Sequence, residues 1–532
     1  MNSHVSRRTF LAGAGAAGAV VAAPFVSGTA IASNSTAATI IYNGRVFTGR
    51  RKDSVQSAVA IDAAGQIIAT GTWASVVRHK GRSTQLIDAQ GGTVMAGLQD
   101  GHCHPMYAGL RSLSPSLDDA VLTVPQLQDI LTSLLQASID KEPDGWLVVE
   151  SWNPVGLLPD GTVADKKYLD TLATSRPIAL RGSDGHNTWV NSRALQIAGV
   201  DSNTPDPVGG IIVRDGGEPT GLLKDSAQDL VTQFIPGPTW DEMLNSFEWA
   251  FDQLAAGGVT SLLDAWVEPW QLGAYAELSA ADRFPQRITP ALLISAGRAA
   301  DPQAALEWAQ RKAKHYAGIP RLNFGSVKIF MDGVIEYPAQ TAALLKPYLV
   351  DGQPGDNYGE LYVDGTTLGA MTTAFDGAGW QVHAHAIGDA AVRAALDGYE
   401  IAINHNGQRG NRHTIAHLQL VHPHDYPRFA KLDVIPDMQL QWATRNVWTM
   451  EALLPYIGPE RHARMYPARS LLDAGAALAG GSDWPVDPLY PWNQVQSAID
   501  RFGLYGEGSP LNPDQGISRV QSLRMHSSGT AY

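Results

Sequence analysis

The segment Leu98-Gln-Asp-Gly-His-Cys-His-Pro105 decides how the rest of this chain is interpreted. Alternate residues of a β-strand point to the same face, so His102 and His104 can present two imidazoles to one point in space. Two converging imidazoles are typical ligands of a metal ion. Cys103 lies between them and faces the other side of the strand, where we expect it to pack rather than to bind metal.

The same pattern recurs further along the chain, where other apolar, strand-like runs carry side chains able to bind a metal. These side chains are Lys328, His385, His417 and Asp483. Three of them lie at the end of their run, whereas Lys328 lies inside Ser326–Met331. His383 shares a strand face with His385 and is expected to be a core residue or to support a ligand. An Asx turn is the alternative interpretation of Asp483.

Lys328 is unusual because a lysine inside an apolar run is costly unless it is paired or chemically altered. Burial lowers the pKa of a lysine and frees its neutral amine. Such an amine can capture carbon dioxide as a carbamate and bridge two metals. The alternative is a lysine at a strand edge whose amine reaches solvent.

Eight strand-like runs alternate with helical stretches such as Pro302–Ala317 and Ala390–Ile403, which predicts an α/β protein with parallel βα units. The runs are Gly97–His104, Val259–Asp264, Pro290–Ile294, Ser326–Met331, Trp380–His385, His413–His417, Val434–Leu440 and Ala476–Asp483. Eight such units close into a TIM (β/α)8 barrel, whose active-site residues lie at the carboxyl ends of the strands.

Two further regions accompany the barrel, which we expect to span residues 93–532. Short β-runs with glycine turns predict a small β domain over residues 39–92, including an Asn43-Gly44 turn. A long insertion, from about Ser112 to Leu254, contains β-like pieces of its own. We expect it to form a subdomain over the barrel mouth and to shape the substrate pocket.

Composition excludes several classes of protein. Of 532 residues, 44% are hydrophobic and 17% are charged, which supports a substantial core and argues against disorder. The net charge of −13 and the lack of a basic run make nucleic acid and anionic membranes unlikely partners. Cys103 is the one cysteine, so no intrachain disulfide can form.

The N-terminus has the pattern of a twin-arginine signal peptide over residues 1–32. Arg7 and Arg8 precede a mildly apolar stretch that runs to about Val26, and Ala30-Ile-Ala32 offers a cleavage site. The apolar stretch is too short and too rich in glycine for a stable membrane span. We therefore expect export to the periplasm or the medium by the twin-arginine machinery.

Taken together, these motifs resemble the amidohydrolase superfamily, and within it the branch that contains N-substituted formamide deformylase and the YtcJ-like amidohydrolases. The stretches that carry the resemblance are Met95-Ala-Gly-Leu-Gln-Asp-Gly-His-Cys-His-Pro105, Arg181-Gly-Ser-Asp-Gly-His-Asn-Thr-Trp-Val-Asn-Ser192, Gly217-Glu-Pro-Thr-Gly221, Asp332-Gly333, His385-Ala-Ile-Gly-Asp389 and Gly481-Ser-Asp-Trp-Pro485. Their ordered combination is specific, although each motif alone is not.

The resemblance implies His102, His104, His385, His417 and Asp483 as metal ligands, with Lys328 as a carboxylated bridge. It also implies a small β domain, of β-sandwich type, built from both ends of the chain. The sequence departs from the family at Ser522–Tyr532, where the family's closing segment is absent. We therefore expect the β domain to lack its C-terminal part, which puts stability in doubt more than site chemistry.

The hypothesis that follows is metal-assisted hydrolysis of a carbon–nitrogen bond in a small, non-peptide amide or formamide-like substrate. One or two divalent metals, with Zn²⁺ expected, activate a water. Asp483 carries the proton and His186 helps to stabilise the oxyanion. Four further residues are expected at the substrate: Trp152, Asp184, Trp189 and Trp442. Packing in the core or at the surface is the alternative interpretation of the tryptophans.

Two alternatives stay open at this point. The same barrel and ligands also serve deaminases and hydrolases of esters or phosphoesters, and the fold cannot separate these activities. The other alternative is a non-catalytic, extracytoplasmic metal-binding protein. A homodimer is compatible with the sequence, which does not specify the oligomeric state.

Overall fold

The computed structural model describes residues 36–49, 56–138, 145–207, 210–504 and 506–531. The expected signal peptide, residues 1–32, lies outside the described residues. The chain divides into two compact units that meet between Gly97 and Leu98. Each unit is described separately below.

The first unit is a small β structure. Its elements are β1 (Ala37–Tyr42), β2 (Arg45–Phe47), β3 (Ala58–Ile61), β4 (Ile67–Gly71), α1 (Trp73–Val76), a 3-10 turn (Val77–His79), β5 (Lys80–Asp88) and β6 (Thr93–Met95). Four strands form a sheet in the order β4-β3-β1-β5, in which β1 and β5 run parallel. Ile40, Ala58, Ala60 and Val76 pack into its core.

The Asn43-Gly44 turn forms as predicted but does not make a hairpin. Asn43 adopts a φ of 55°, and its amide nitrogen donates to Asp88 Oδ1 at 2.8 Å. The strands on either side of the turn join different sheets, because β2 pairs in parallel with β6. The turn therefore carries the chain from one sheet to another.

The second unit begins with β7 (Leu98–Cys103) and α2 (Pro105–Arg111), and the insertion follows them. Its elements are β8 (Leu122–Thr123), α3 (Val124–Ser138), β9 (Leu147–Trp152), β10 (Leu157–Leu158), α4 (Lys166–Asp170), β11 (Ile178–Gly182), β12 (Asn187–Val190), α5 (Ser192–Ala198), β13 (Gly210–Asp215), β14 (Glu218–Asp225), a 3-10 turn (Ser226–Gln228) and α6 (Asp229–Thr232). Five of the strands form one sheet in the order β13-β14-β12-β11-β9.

The sheet of the insertion has an apolar layer on each face. Ile178 and Leu180 of β11 pack into one hydrophobic cluster, whereas Ala179 between them packs into the other. Trp189 and Val190 of β12 divide in the same way. This alternation is what the period of two in a β-strand requires when both faces of a sheet are covered.

The barrel resumes after the insertion. Its elements are α7 (Trp240–Ala256), β15 (Val259–Val267), α8 (Pro269–Ala280), β16 (Arg287–Leu293), α9 (Ala296–Ala299), α10 (Pro302–His315), β17 (Ser326–Phe330), β18 (Leu349–Val350), β19 (Gln353–Pro354), α11 (Gly365–Gly377), β20 (Gln381–Ala386), α12 (Asp389–Asn406), β21 (Thr414–His417), α13 (Tyr426–Leu432), β22 (Ile435–Met438), α14 (Val447–Met450), α15 (Leu454–His462), α16 (Ala468–Asp473), β23 (Ala479–Gly480), α17 (Pro491–Asp500) and α18 (Arg519–Arg524). Short 3-10 turns cover Pro423–Asp425, Leu440–Trp442 and Pro513–Gln515, and a π-helix covers Met525–Gly529.

Eight parallel strands form one sheet in the order β7-β15-β16-β17-β20-β21-β22-β23. Each of these strands overlaps one of the eight predicted runs, so the predicted α/β barrel is confirmed. Hydrogen bonds at the carboxyl ends of its first and last strands draw the sheet together: Asp483 N donates to His102 O at 2.7 Å, and His104 N donates to Trp484 O at 2.7 Å.

Helix α7 overlaps the end of the predicted insertion, lies directly before β15 and packs against α2. A Cβ atom added at Gly109 of α2 would lie 2.7 Å from the carbonyl oxygen of Ser246 on α7. The close approach of these two helices requires the glycine. Within the described part of the chain, no helix has the length and apolar character needed to cross a bilayer.

Candidate metal centre

The barrel brings four of the predicted ligands together at the carboxyl ends of its strands. His102 and His104 lie at the end of β7, His417 ends β21, and Asp483 follows β23. Ligand atoms of His102, His104 and Asp483 all lie within 4.8 Å of one another. Three donors at such distances are compatible with a single bound cation.

Asp483 is the carboxylate on which the imidazoles converge. Its Oδ1 lies 2.9 Å from His104 Nε2 and 3.4 Å from His102 Nε2, and its Oδ2 lies 3.8 Å from His417 Nδ1. All four side chains are buried. The arrangement therefore brings one carboxylate and three imidazoles together, with a small part of His104 and of Asp483 still exposed.

The backbone is held in an uncommon conformation at two of these residues. His417 has a φ of 78° and Asp483 a φ of 53°, in the left-handed region that side chains other than glycine rarely adopt. Such conformations cost of order 1–3 kcal/mol and persist where other interactions compensate. Here His417 N donates to Gln439 Oε1 at 3.0 Å, and the carbonyl of His102 accepts from Asp483 N.

The donor atoms fit a divalent cation. Nδ1 of His417 and Oδ1 of Asp483 are buried and make no hydrogen bond of acceptable geometry within the described residues. A buried polar atom without a partner is costly, and a bound cation would remove that cost. Two imidazole nitrogens and a carboxylate oxygen are a donor set that zinc and related metals accept.

Electrostatics also favour the metal-binding form of the imidazoles. Burial, reinforced by the charge of Lys328 and by neighbouring imidazoles, lowers the pKa of His102 and of His417. Burial and Lys328 lower the pKa of His385 to about 3. Neutral imidazole is the form that binds a metal, so no proton has to leave before a cation enters.

His383 supports His102 from behind. Its Nε2 lies 2.8 Å from His102 Nδ1, and burial lowers its pKa, as it does for the ligands. A hydrogen bond to Nδ1 leaves Nε2 of His102 facing Asp483. The structure thus places His383 where the sequence analysis expected it, beside a ligand.

Lys328 is almost completely buried on β17. Its Nζ lies 3.3 Å from His102 Nε2 and 4.8 Å from the centre of the Phe330 ring. Burial lowers its pKa to about 7, although the charges of Asp483 and Asp437 oppose the shift. No carboxylate lies within ion-pair distance of it in the described part of the chain, so Lys328 is not held by a salt bridge.

Among the predicted histidine ligands, His385 is the one whose ring nitrogen lies closest to a carboxylate other than that of Asp483. Its Nε2 lies 3.0 Å from the carbonyl oxygen of Gly333 and 3.6 Å from Asp332 Oδ1. Its ring lies 4.4 Å from that of His417, measured between ring centres. With Nε2 engaged in this way, Nδ1 is the nitrogen left for a cation.

Two buried carboxylates close to the predicted ligands, Asp332 and Asp437, were not among the predicted site residues. Asp332 accepts hydrogen bonds from the backbone nitrogens of Ala343, Ile387 and Gly388, and burial raises its pKa to about 7. Asp437 binds Gln439 Nε2 at 3.1 Å, and burial raises its pKa to about 8.

Asp437 and Gln439 lie two residues apart in the apolar run Val434–Leu440. This is the same i, i+2 spacing that identified His102 and His104, and it was the available signal for the pair. The signal for Asp332 was the Asp332-Gly333 dipeptide. This dipeptide indicates a turn, but it does not predict the three backbone nitrogens that donate to the Asp332 carboxylate.

The predicted substrate residues divide into two groups. Trp442 stacks on His417, with ring centres 5.6 Å apart and an angle of 11° between the planes. Trp152 and Trp189 lie 5.2 Å apart and almost fully buried in the core of the insertion. The structure thus packs both indoles in the core of the insertion, and their role at a substrate stays a prediction.

Three aromatic residues that were not predicted form an arc beside the ligands. Ring centres lie 6.3 Å apart for His104 and Tyr107, 5.6 Å for Tyr107 and Trp266, and 5.2 Å for Trp266 and Phe330. Phe330 then lies 5.0 Å from His385. The arc runs from α2, which follows β7, to the carboxyl ends of β15 and β17, and its rings are partly exposed.

The insertion contributes His186 and Asp184 from the turn between β11 and β12. His186 Nδ1 lies 2.7 Å from Asp225 Oδ1, and Asp184 Oδ1 accepts the backbone N–H of His186 at 2.9 Å. The charge of His186 contributes to the lowered pKa of His385, so the two imidazoles lie within electrostatic reach of each other. The insertion therefore approaches the barrel mouth at this turn.

Comparison with known proteins agrees with this architecture. A family model described as "Amidohydrolase family" matches residues 85–532. "Putative amidohydrolase YtcJ" of Bacillus subtilis (strain 168) is 30% identical over 506 residues, which are 92% of this chain and 89% of that protein. "N-substituted formamide deformylase" of Arthrobacter pascens is 24% identical over 519 residues, covering 93% of this chain and 89% of that protein.

Among solved structures, an uncharacterized metal-dependent hydrolase from Pyrococcus horikoshii OT3 superposes with a TM-score of 0.69. The two are 22% identical, and the match covers 93% of this chain and 92% of that one. At this identity the likeness concerns the fold alone.

Proposed function

Because the chain belongs to the amidohydrolase family, we propose that it hydrolyses carbon–nitrogen bonds of small, non-peptide amides or formamides with the help of a divalent metal. The resemblance inferred from the motifs is confirmed by the family match. The observation that carries the proposal is the convergence of His102, His104 and His417 on Asp483 at the barrel mouth.

The cation would be held by these four side chains, with His385 Nδ1 as a further donor. We propose Zn²⁺ because imidazole nitrogen and carboxylate oxygen are ligands that it accepts. When bound, a divalent cation acts as a Lewis acid that polarises the amide carbonyl and activates a water molecule.

Asp483 is the residue we assign to proton transfer. Its carboxylate is buried beside His102 and His104, where it can take a proton from water and return it to the leaving nitrogen. Return of this proton is needed because an amine leaves far more readily than an amide anion. His186 of the insertion is assigned as a donor to the oxygen on which charge develops.

The aromatic residues around the centre support a substrate with an apolar or aromatic substituent. Trp442 covers His417 on one side, and the arc of Tyr107, Trp266 and Phe330 lies along the other ligands. Partly exposed rings at a catalytic centre offer an apolar surface for flat or aliphatic groups.

Lys328 is proposed to carry a carboxylate and to bridge two metals. Its buried amine adds to the carbon of carbon dioxide, forming a nitrogen–carbon bond and releasing one proton. The product is a carbamate anion beside His102, which would neutralise charge where the lysine has no acidic partner among the described residues. This assignment predicts two metals per chain, whereas an unmodified lysine predicts one.

The test measures metal content and turnover together. Protein reconstituted with zinc and bicarbonate is analysed by elemental mass spectrometry and then assayed with formamides, N-acyl amino acids, cyclic amides and aryl esters. Stoichiometric metal with turnover of an amide or formamide supports the proposal. Turnover of esters alone, or bound metal with no turnover across the panel, contradicts it.

We also propose that the protein is exported through the twin-arginine pathway, since Arg7 and Arg8 precede an apolar stretch and an Ala-x-Ala site. Replacement of both arginines by lysine should retain the protein in the cytoplasm, as measured by cell fractionation. An unchanged exported fraction in the double variant would contradict this route.

A further inference from the structure

The insertion holds His186 through both its backbone and its side chain. Asp184 Oδ1 accepts the backbone N–H of His186, and the carbonyl of His186 accepts the backbone N–H of Asp225 at 2.9 Å. The ring is fixed by its Nδ1, 2.7 Å from Asp225 Oδ1. Asn187 Nδ2 donates to the second oxygen of Asp184 at 2.6 Å, which closes the turn.

Asp225 adopts an uncommon backbone conformation at the end of β14. Its φ of 48° and ψ of −128° lie outside the regions that residues other than glycine normally occupy. Strain of this kind costs of order 1–3 kcal/mol and clusters at functional sites, where surrounding contacts maintain it. In this conformation the carboxylate lies 2.7 Å from His186 Nδ1, with its side chain 31% exposed.

The second ring nitrogen of His186 is available to a ligand. No residue in the described part of the chain bonds Nε2, and the side chain is 30% exposed. The ring lies within electrostatic reach of His385 at the candidate metal centre and of Glu336 in the segment after β17. Nε2 is therefore an open ring nitrogen that the insertion holds within electrostatic reach of the candidate metal centre.

A carboxylate next to Nδ1 keeps a proton on that nitrogen and stabilises the charged imidazolium. In the imidazolium, Nε2 also carries a proton and can donate it to an acceptor. Burial favours the neutral ring, but the hydrogen bond to Asp225 and the charges of Asp184, Asp225 and Glu336 outweigh it and raise the pKa of His186. An imidazolium donates from both nitrogens. One N–H binds Asp225, and the other is left for an acceptor such as a carbonyl oxygen.

We infer that Asp225 is a positioning residue, which fixes the His186 ring so that its Nε2–H can donate to the acyl oxygen of the substrate. The inference rests on the proposed function, because the substrate oxygen to which His186 would donate belongs to the proposed amide hydrolysis. It adds to the active site a residue that lies 258 positions before Asp483 and does not itself touch the centre. Through such pairs a carboxylate controls orientation without reacting.

A titration that needs no substrate tests this inference directly. Zinc-loaded protein labelled with ring ¹⁵N-histidine is followed by long-range ¹H–¹⁵N spectra between pH 5 and 9, and His186→Gln assigns the resonance. Asp225→Asn should lower the His186 midpoint by about 1 pH unit or more, because an opposite charge next to the ring is lost. Asp215→Asn, at the exposed end of β13 that lies opposite Glu218 and away from Asp225, should leave the midpoint unchanged.

The comparison isolates Asp225, because the other titratable groups around His186 are the same in the wild type and the variant. Asp184 and Glu336 act on the ring through their charges, Lys224 interacts with Asp184 and Asp225, and His385 is a neighbouring imidazole. An unchanged His186 midpoint in Asp225→Asn would overturn the inference. Bound metal, measured in each variant, confirms that the barrel has folded.

Turnover provides the second readout. On whichever amide of the panel is hydrolysed, Asp225→Asn should lower kcat about 100-fold, as the loss of one oxyanion donor does, with a smaller effect on KM. The double variant with His186→Gln should be no slower than His186→Gln alone. Wild-type kcat in Asp225→Asn would overturn the inference. If no compound of the panel is hydrolysed, the proposed function is contradicted, and the titration alone tests whether Asp225 positions His186.

Discussion

Asp483 is assigned two roles, metal binding and proton transfer. Its carboxylate faces His102 and His104, which places it at the centre where both roles are needed. We predict that Asp483→Asn lowers kcat by about 10²- to 10⁴-fold, the usual contribution of a general acid–base group. The variant should still fold, since Asn has the same shape. Steady-state kinetics, together with metal content, check this outcome.

A matched control is Asp473→Asn, which alters an exposed carboxylate paired with Arg469 on α16. Its kcat should equal that of the wild type, because an exposed ion pair contributes little. Near-normal kcat in Asp483→Asn, with metal still bound, would show that another group moves the proton.

Asp264 on β15 predicts a specific dependence of stability on pH. Burial raises its pKa to about 7, although Tyr275 Oη donates to its Oδ2 at 2.7 Å. The unfolded value is near 3.9, so between these values the folded state binds more protons than the unfolded state. The free energy of unfolding should therefore fall as pH rises through this window, by up to about 1.4 kcal/mol per pH unit.

Asp264→Asn cannot ionise and should remove this part of the dependence. The measurement is urea denaturation of metal-free wild type and variant between pH 4 and 7.5. The other buried carboxylates titrate in both proteins, so the difference between the two curves reports Asp264. Parallel curves for the two proteins would mean that Asp264 does not titrate in this range.

At the scale of elements, closure of the barrel depends on the approach of the segment after β23 to β7. A Cβ atom added at Gly481 would lie 2.5 Å from the backbone nitrogen of His102 and 2.9 Å from its Cα. Backbone atoms cannot move aside as a flexible side chain can. We predict that Gly481→Ala destabilises the protein by about 1–3 kcal/mol, as overpacking does, and reduces metal content because His102 is displaced.

Gly273→Ala, in α8, is the control for this prediction, since a Cβ there meets no atom within 4 Å. Alanine in place of a helical glycine should be neutral or stabilise by up to about 1 kcal/mol. Denaturant midpoints and elemental analysis of both variants give the comparison. Equal midpoints and equal metal content in the two variants would show that a Cβ atom at position 481 does not disturb the contact between the segment after β23 and β7.

At the scale of the whole molecule, metal removal should weaken the second unit without unfolding it. Apolar clusters on both faces of the insertion's sheet and an eight-stranded barrel sheet form its core, and neither requires a cation. A chelator should therefore lower the Tm while the far-ultraviolet circular dichroism at 25 °C is retained. Zinc at 100 times its Kd should restore about 2.7 kcal/mol of stability.

Differential scanning calorimetry over a range of free zinc concentrations measures this effect. A Tm that does not respond to chelation, although metal is lost, would mean that the centre is not coupled to folding. Loss of the circular dichroism signal would mean instead that the metal holds the barrel together.

Much of the barrel could be predicted from local pattern alone, and this part of the expectation is confirmed. Alternate residues of a strand share a face, and parallel βα units repeat along the chain, so His102 pairs with His104 and His383 with His385 without reference to distant residues. The same alternation of side chains along a strand also places Asp437 and Gln439 on one face, next to the candidate ligands.

The amino-acid sequence by itself determined the eight barrel strands, the shared strand face of His102 and His104 and of His383 and His385, and the order in which candidate ligands occur. Only the tertiary structure decided which of them meet: His383 supports His102 although 281 positions separate them. It also decided that Trp442 stacks on His417, a predicted ligand, whereas Trp152 packs in the core of the insertion, and that Asp225 binds His186. The physical reason is that strand period sets the direction of a side chain locally, whereas distance between strands depends on barrel closure and on the packing of the insertion.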